Sequence, residues 1–394
     1  MGNVLSPYKT EKHPLNIGSL GSIEGLVLSH AEAEEPVIRR YLNVPFVLPP
    51  TGPYRWRKPR PLPPDYTYAH PDGSPRDCTV FGRICPQPEY TKLGNHAFSK
   101  YDEDCLTLNI WVPAETPPEG GWPVMLWFHG GWLQVGDPSI DPNMDPTELV
   151  SKNGGGLQCV FIAAGYRLSV FGFMASRELA EEAQQTGEMA FGNYGLWDQD
   201  AALDWVHKYV SYFGGNPDNL TLSGRSAGAY STHAIASHDL LMNPTVPTRY
   251  KRLVMYSNAI PADPKSVEDV QPQFDELVQA CGIPYSLSGS EKLGRLRAIP
   301  AFDLIDKIMI LSAHTFRPIR DGHFFPLNLF DRYLAGDFAR EFKQRELQVF
   351  IGEVRDEVRF HFGCSRTARS FPPSHKMMLI IVLGNTLSSN QPPS

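Results

Sequence analysis

Apolar and polar positions alternate over Gly18 to Val27 and again over Val37 to Val47, a pattern that predicts antiparallel hairpin strands at the start of a sheet. Pro61 to Lys100 is rich in Pro, Gly and polar residues and predicts a long loop region. Three short apolar runs follow, Cys105 to Val112, Pro123 to His129 and Val160 to Tyr166. Each is bounded by Gly or Pro and is apolar on both faces, as interior strands of a mostly parallel sheet are. In Asn193 to Tyr212 the residues Leu196, Ala202, Trp205, Val206 and Tyr209 fall at helical spacing. Leu220 to Leu222, Arg252 to Tyr256 and Gln348 to Gly352 predict further strands, and Val267 to Cys281 and Ser290 to Ile299 predict helices between the last two. Strands alternating with helices define an α/β class with a central, mostly parallel sheet flanked by helices.

Composition narrows the partners. The net charge of −7 argues against a polyanionic ligand such as nucleic acid. The one basic run, Arg55 to Arg60, is expected to be a solvated loop. The N-terminus lacks the apolar segment of a secretory signal, and the longest apolar run near the end, Met377 to Leu383, is too short to span a bilayer. An intracellular, cytoplasmic protein without stable membrane insertion is therefore expected. Gly2 opens an M-G-x-x-x-S pattern, which alone is a weak myristoylation signal. The six cysteines match no zinc spacing, so neither a metal nor an organic cofactor is expected.

The chemistry concentrates at Phe213 to Gly228. A short strand runs into Gly224-Arg225-Ser226-Ala227-Gly228, and small, helix-compatible residues follow. Strand, tight glycine-flanked turn and helix form the context of a nucleophile elbow, with Ser226 presented above the start of a helix whose N–H groups favour a developing anion. Acyl transfer also needs donors for an oxyanion, a base and a group that orients the base. His129-Gly130-Gly131 ends a predicted strand, and glycines there let backbone N–H groups approach a substrate oxygen. Gly130, Gly131 and Ala227 are the expected oxyanion donors. Trp132, Phe171, Phe173 and Tyr230 are candidates for an apolar pocket wall or for core.

With these blocks in hand, the chain resembles the type-B carboxylesterase, cholinesterase-like family of α/β-hydrolases, in its fungal variety. The resemblance rests on Glu103 to Ile110, the His129 block, Tyr166-Arg167-Leu168 with Phe171-Gly172-Phe173, Gly192 to Gln199, and Phe213 to Gly228, in that order, and spans roughly residues 15 to 360. It implies the α/β-hydrolase fold and hydrolysis of small-molecule carboxylic esters through a serine acyl-enzyme. It also implies Glu357, in the loop after Gln348 to Gly352, as the acid of the triad, and Asp321 as a structural turn residue. Cys85 is implied to pair with Cys105 in an oxidising compartment; in a reducing one the two remain neighbouring thiols.

Two departures stand out. The family keeps a glutamate before the nucleophile, where this chain has Arg225. A guanidinium there disfavours a protonated catalytic imidazole, meets an anionic substrate group, or pairs with a nearby carboxylate. The family's catalytic histidine lies far downstream of the acid, whereas 37 residues follow Glu357 here. His361 and His375 are the histidines left, one too close to Glu357 in sequence and one in a tail without core periodicity. The sequence thus reads as a hydrolase domain over 1–362, lacking the C-terminal part of the fold, and a poorly ordered, unrelated tail over 363–394. The alternatives to an ester hydrolase are a catalytically inactive binding module on the same fold and a truncated product without function. Nothing in the sequence indicates an oligomeric state.

Overall fold

The computed structural model describes residues 8–31, 35–88, 100–138, 145–151, 156–188 and 190–353. Nine strands in line make the body of one sheet: β1 (Tyr8–Asn16), β2 (Ser22–His30), β3 (Pro36–Pro45), β4 (Thr107–Pro113), β5 (Trp122–Phe128), β6 (Val160–Ala164), β7 (Gly215–Arg225), β8 (Arg252–Tyr256) and β9 (Gln348–Gly352). Their spatial order is β1-β2-β3-β4-β6-β5-β7-β8-β9, and the short strand Arg76–Asp77 pairs alongside β2. Apart from the parallel pairing of Arg76–Asp77 with β2, the N-terminal side is antiparallel through the β4–β6 pair. From β6 onward every pairing is parallel. The parallel half carries the candidate site.

Local chemistry explains most of the boundaries. β4 and β6 are buried along their whole length, as their unbroken apolar runs require. β1, by contrast, reads Tyr-Lys-Thr-Glu-Lys-His-Pro-Leu-Asn and has no apolar face; its partner β2 draws it into the sheet, so its own pattern does not announce it. The main helices are α1 (Arg177–Thr186), α2 (Tyr194–Tyr209), α3 (Ala227–Leu241), α4 (Val267–Ala280) and α5 (Gly289–Ala298). α4 and α5 both begin with a reciprocal capping box, Ser266 with Asp269 and Ser288 with Glu291. α3 is buried on nearly every residue because it is wedged between the sheet and the segments that follow, which is why its sequence has little polar face.

The two sides of the sheet are covered unequally. The larger core packs β4 to β7 against α2, α3 and the later helices, with Phe128, Leu222, Leu196 and Ile235 fully buried. A smaller cluster, including Trp111, Phe161 and Val150, covers the opposite side near β3, β4 and β6. Farther along that side the rings of Trp127, Tyr256 and Phe350 follow one another at 6.5 and 5.9 Å, with Tyr256 39% and Phe350 56% exposed.

The basic run Arg55 to Arg60 is not the solvated loop expected from its composition. Arg55 and Trp56 are both buried. The Arg55 guanidinium forks onto the Glu103 carboxylate, with Nε to Oε2 at 2.7 Å, and donates to Ile299 O at 2.7 Å. Trp56 Nε1 donates to Val170 O at 2.9 Å. A guanidinium is tolerated inside because its donors are all matched by acceptors at fixed positions, a condition set by residues about fifty and two hundred forty positions away, which composition cannot reveal. The Arg167–Asp198 pair anchors α2, although Arg167 Nη1 is buried without a hydrogen-bond partner among the described residues. Nε and the backbone N of Arg167 donate to Asp198 Oδ2 at 2.8 and 2.9 Å, and Asp198 is wholly buried. Asp321 accepts from the backbone N–H groups of His323, Phe324 and Phe325 and so stabilises a turn.

Candidate active site

β7 ends at Arg225 and α3 begins at Ala227, so Ser226 is the single residue between a strand and a helix. Its backbone is bent to φ 55° and ψ −117°, a sparsely populated region that costs a non-glycine residue on the order of 1–3 kcal/mol. The bend is imposed from both sides. Ser226 N donates to Tyr256 O on β8 at 2.8 Å, and Ser226 O accepts from Tyr230 N at 3.0 Å in the first turn of α3. Closeness leaves no room for side chains beside it. A Cβ on Gly228 would lie 1.9 Å from Phe128 O, and one on Gly224 would lie 2.4 Å from the carbonyl carbon of Gly228. Both glycines of the G-x-S-x-G are therefore steric requirements of the crossing between strand and helix.

The loop after β5 packs directly on this bend. A Cβ on Gly130 would sit 2.9 Å from Arg225 O and 3.3 Å from Ser226 Cβ, so the Gly130 backbone borders the serine. Gly131 follows at φ 111° in a tight turn closed by Gln134 N and Val135 N on its carbonyl. Ala227 is buried at the head of α3. Among the described residues, the N–H groups of Gly130, Gly131 and Ala227 donate to no protein acceptor. His129 is held beneath the loop, stacked on Tyr166 at 4.3 Å between centroids, with Nδ1 2.8 Å from Gly130 O. The Tyr166 hydroxyl donates to His129 O at 2.7 Å. Burial pulls the His129 pKa below its ordinary value, so the ring is neutral and its Nδ1–H supports the loop.

A cavity of about 360 Å³ opens over Ala227 and is walled by Trp132, Leu133, Tyr230, Pro261, Arg317 and Pro318, among others. Of the four aromatic candidates for a pocket wall, Trp132 and Tyr230 line it, while Phe171 and Phe173 are core. The Pro261–Lys265 segment and Arg317 could not be assigned to a pocket from sequence, because only the tertiary fold carries them beside Ala227 and Tyr230. Arg225 is exposed, and no ion pair among the described residues includes it. Glu357, His361 and His375 lie outside the described residues. Among the described histidines, His233 accepts Ile260 N at Nδ1 and is buried in the α3 core, and His238 is bonded to Phe324 O. Neither faces the cavity's lining. Cys85 and Cys105 are joined as a disulfide, which ties the loop before β4 to the start of that strand. Among the described residues no helix is long and apolar enough to cross a membrane.

A glycine-flanked serine in a strained strand-to-helix bend, with a glycine loop packed against it, is the architecture of an α/β-hydrolase. The sequence profile of the carboxylesterase family matches residues 13–369, running past Phe362 where the sequence blocks end, and the chain belongs to that family. A carboxylic ester hydrolase of Gibberella moniliformis is 43% identical over 352 residues, which cover 89% of this chain and 62% of that protein. An uncharacterized esterase/lipase of Schizosaccharomyces pombe is 39% identical over 374 residues, covering 94% of this chain and 66% of its own length. The phenmedipham hydrolase of Pseudarthrobacter oxydans is 31% identical over 336 residues, 82% of this chain and 59% of that protein. The chain thus spans about three fifths to two thirds of the length of these relatives.

Proposed function

We propose that the protein is a carboxylic-ester hydrolase working through a serine acyl-enzyme. In this reading Ser226 Oγ attacks the ester carbonyl carbon and forms a new C–O bond, while the carbonyl π electrons move onto the oxygen. The N–H groups of Gly130, Gly131 and Ala227 hold that oxyanion. Collapse breaks the bond to the alcohol, which leaves with the proton taken from Ser226 by a histidine oriented by Glu357. Water then repeats the sequence on the acyl-enzyme and releases the acid. No cofactor takes part. The observation that carries the reading is the Ser226 bend at φ 55°, pressed against Gly130 and followed directly by Ala227, which lines the cavity. Such strain persists only where surrounding contacts over-determine it, and it clusters at sites of chemistry. The wall contributed by Leu133, Pro261 and Pro318 suits the apolar part of a small ester.

Mass spectrometry after treatment with a fluorophosphonate tests this directly. One phosphonyl adduct per chain, on the peptide holding Ser226, together with turnover of p-nitrophenyl butyrate, is the expected result. No adduct would reduce the claim to shared ancestry. An adduct without turnover would place the chain as a competent nucleophile without a working base.

A further inference from the structure

The turn that follows Gly130 is unusual in how it is held. Four residues between 131 and 136 have positive φ: Gly131 at 111°, Trp132 at 59°, Leu133 at 66° and Gly136 at 113°. Two of them are not glycine, so the turn is not the conformation its own sequence prefers and must be maintained from outside. Two buried glutamines do this in the same way. Gln87 Nε2 donates to Gly136 O at 2.8 Å while Gln87 Oε1 accepts Gly136 N at 2.7 Å. Gln134 Nε2 donates to Phe316 O at 2.6 Å while Gln134 Oε1 accepts Phe316 N at 3.0 Å. Each primary amide closes a two-bond ring on the N–H and C=O of one backbone residue. Gln87 is 6% exposed and Gln134 is fully buried.

Gly136 is also the wall behind the oxyanion loop. A Cβ there would lie 2.5 Å from Gly130 O and 2.5 Å from His129 Nδ1. The Gly136 backbone, set by Gln87, therefore fixes where the Gly130 carbonyl can point, and with it the N–H of Gly131 in the same peptide. We infer that Gln87 and Gln134 are positioning residues of the oxyanion hole, tying residues 136 and 134 of the turn to the surrounding fold so that its N–H groups are aimed before substrate arrives. This rests on the reading of Ser226 as the nucleophile. Neither glutamine lines the cavity, so neither contributes to ground-state binding. An oxyanion hole acts on charge that exists only in the transition state, so a displaced turn lowers kcat and leaves KM nearly unchanged.

The test compares the 394-residue wild type with Gln87→Leu, Gln87→Glu and Gln134→Glu. It measures the rate of fluorophosphonate labelling at Ser226, kcat and KM for p-nitrophenyl butyrate, and the thermal midpoint. Gln87→Leu is expected to slow labelling and kcat by ~10–100-fold, the scale of an ångström-level misplacement, with KM within about threefold. The glutamate variants keep the test decisive where Gln87→Leu does not fold. A protonated carboxyl has one donor and one acceptor and restores both bonds of the ring, whereas a carboxylate only accepts. Their labelling rate relative to wild type at the same pH should therefore be low at pH 8 and recover toward pH 5.5. Folded variants that label at the wild-type rate at pH 8, or that change KM alone, would overturn the inference while leaving the esterase reading intact. No labelling of the wild type would overturn that reading, and the inference with it.

Discussion

The elbow and the β8–β9 edge sit in the same parallel sheet, yet they are built on opposite terms. At the elbow, backbone meets backbone: glycines at 130, 224 and 228 leave less than 3 Å for any added Cβ, and Ser226 is held through both its N–H and its carbonyl. At the edge, Phe350 and Tyr256 present large rings to solvent, and β9 contributes only partly buried or exposed positions. The first region tolerates almost no change in shape because its contacts are between atoms that cannot rotate away. The second has side chains with open space around them. Precision is therefore concentrated around Ser226 rather than spread over the sheet.

The sharpest way to separate the two regions is chemical. Ser226→Ala should reduce ester turnover by ~10⁴–10⁶-fold while leaving the thermal midpoint within about a degree or two, since only one hydroxyl is lost; parallel kinetics and melting curves check it. Gly228→Ala should act on the fold as well, because the new Cβ would collide with Phe128 O; a loss of ~3 kcal/mol or more, or failure to accumulate as soluble protein, is expected from denaturant titration. A Gly228→Ala protein that folds and turns over normally would show that the strand–helix crossing can relax, and the contrast with the edge would collapse.

Reducing the Cys85–Cys105 bond, or replacing both residues with Ser, should lower unfolding free energy by ~3 kcal/mol, the chain-entropy scale for a loop of this size. Because Gln87 lies two residues on from Cys85, ester turnover should fall with it, which melting and kinetics at matched temperature would separate.

A pH effect comes next. Burial depresses the His233 pKa to about 4, below its unfolded value. The unfolded chain therefore binds a proton between about pH 6.5 and 4 that the folded chain refuses, so this group's contribution to stability is intact above that window and is lost as pH falls through it, by up to ~3 kcal/mol. Replacing His233 with Asn should flatten the stability curve across that interval, as read by urea titrations at several pH values. An unchanged slope would mean that the ring protonates in the folded state. Phe350→Ser at the edge should be the mildest change, within ~1 kcal/mol and without effect on labelling of Ser226.

How much of this was legible in the sequence follows from the range of the interactions involved. The strands at Arg252–Tyr256 and Gln348–Gly352 coincide with their apolar runs, and Ser226 is found by five consecutive residues, because strand, turn and helix are local events. The pair Trp132 and Tyr230 could not be told from Phe171 and Phe173 as pocket wall, since all four are aromatic neighbours of a motif and only packing sorts them. Arg55 and Trp56 looked like a surface run because their partners, Glu103, Ile299 and Val170, are distant in sequence.

By itself, the sequence determined the alternation of strands and helices, the glycine-flanked serine, the glycines after His129 and membership of the carboxylesterase family. All of these are carried by contiguous residues whose conformational preferences and shapes act over a few positions. Only the tertiary structure decided that Gly130 touches Ser226, that Pro261 to Lys265 and Arg317 wall the cavity, and that Gln87 and Gln134 brace the turn between them. Those relations join segments up to about 180 residues apart, Gln134 to Phe316 among them. They depend on how the sheet brings the ends of its strands together, and no window of sequence holds both partners at once.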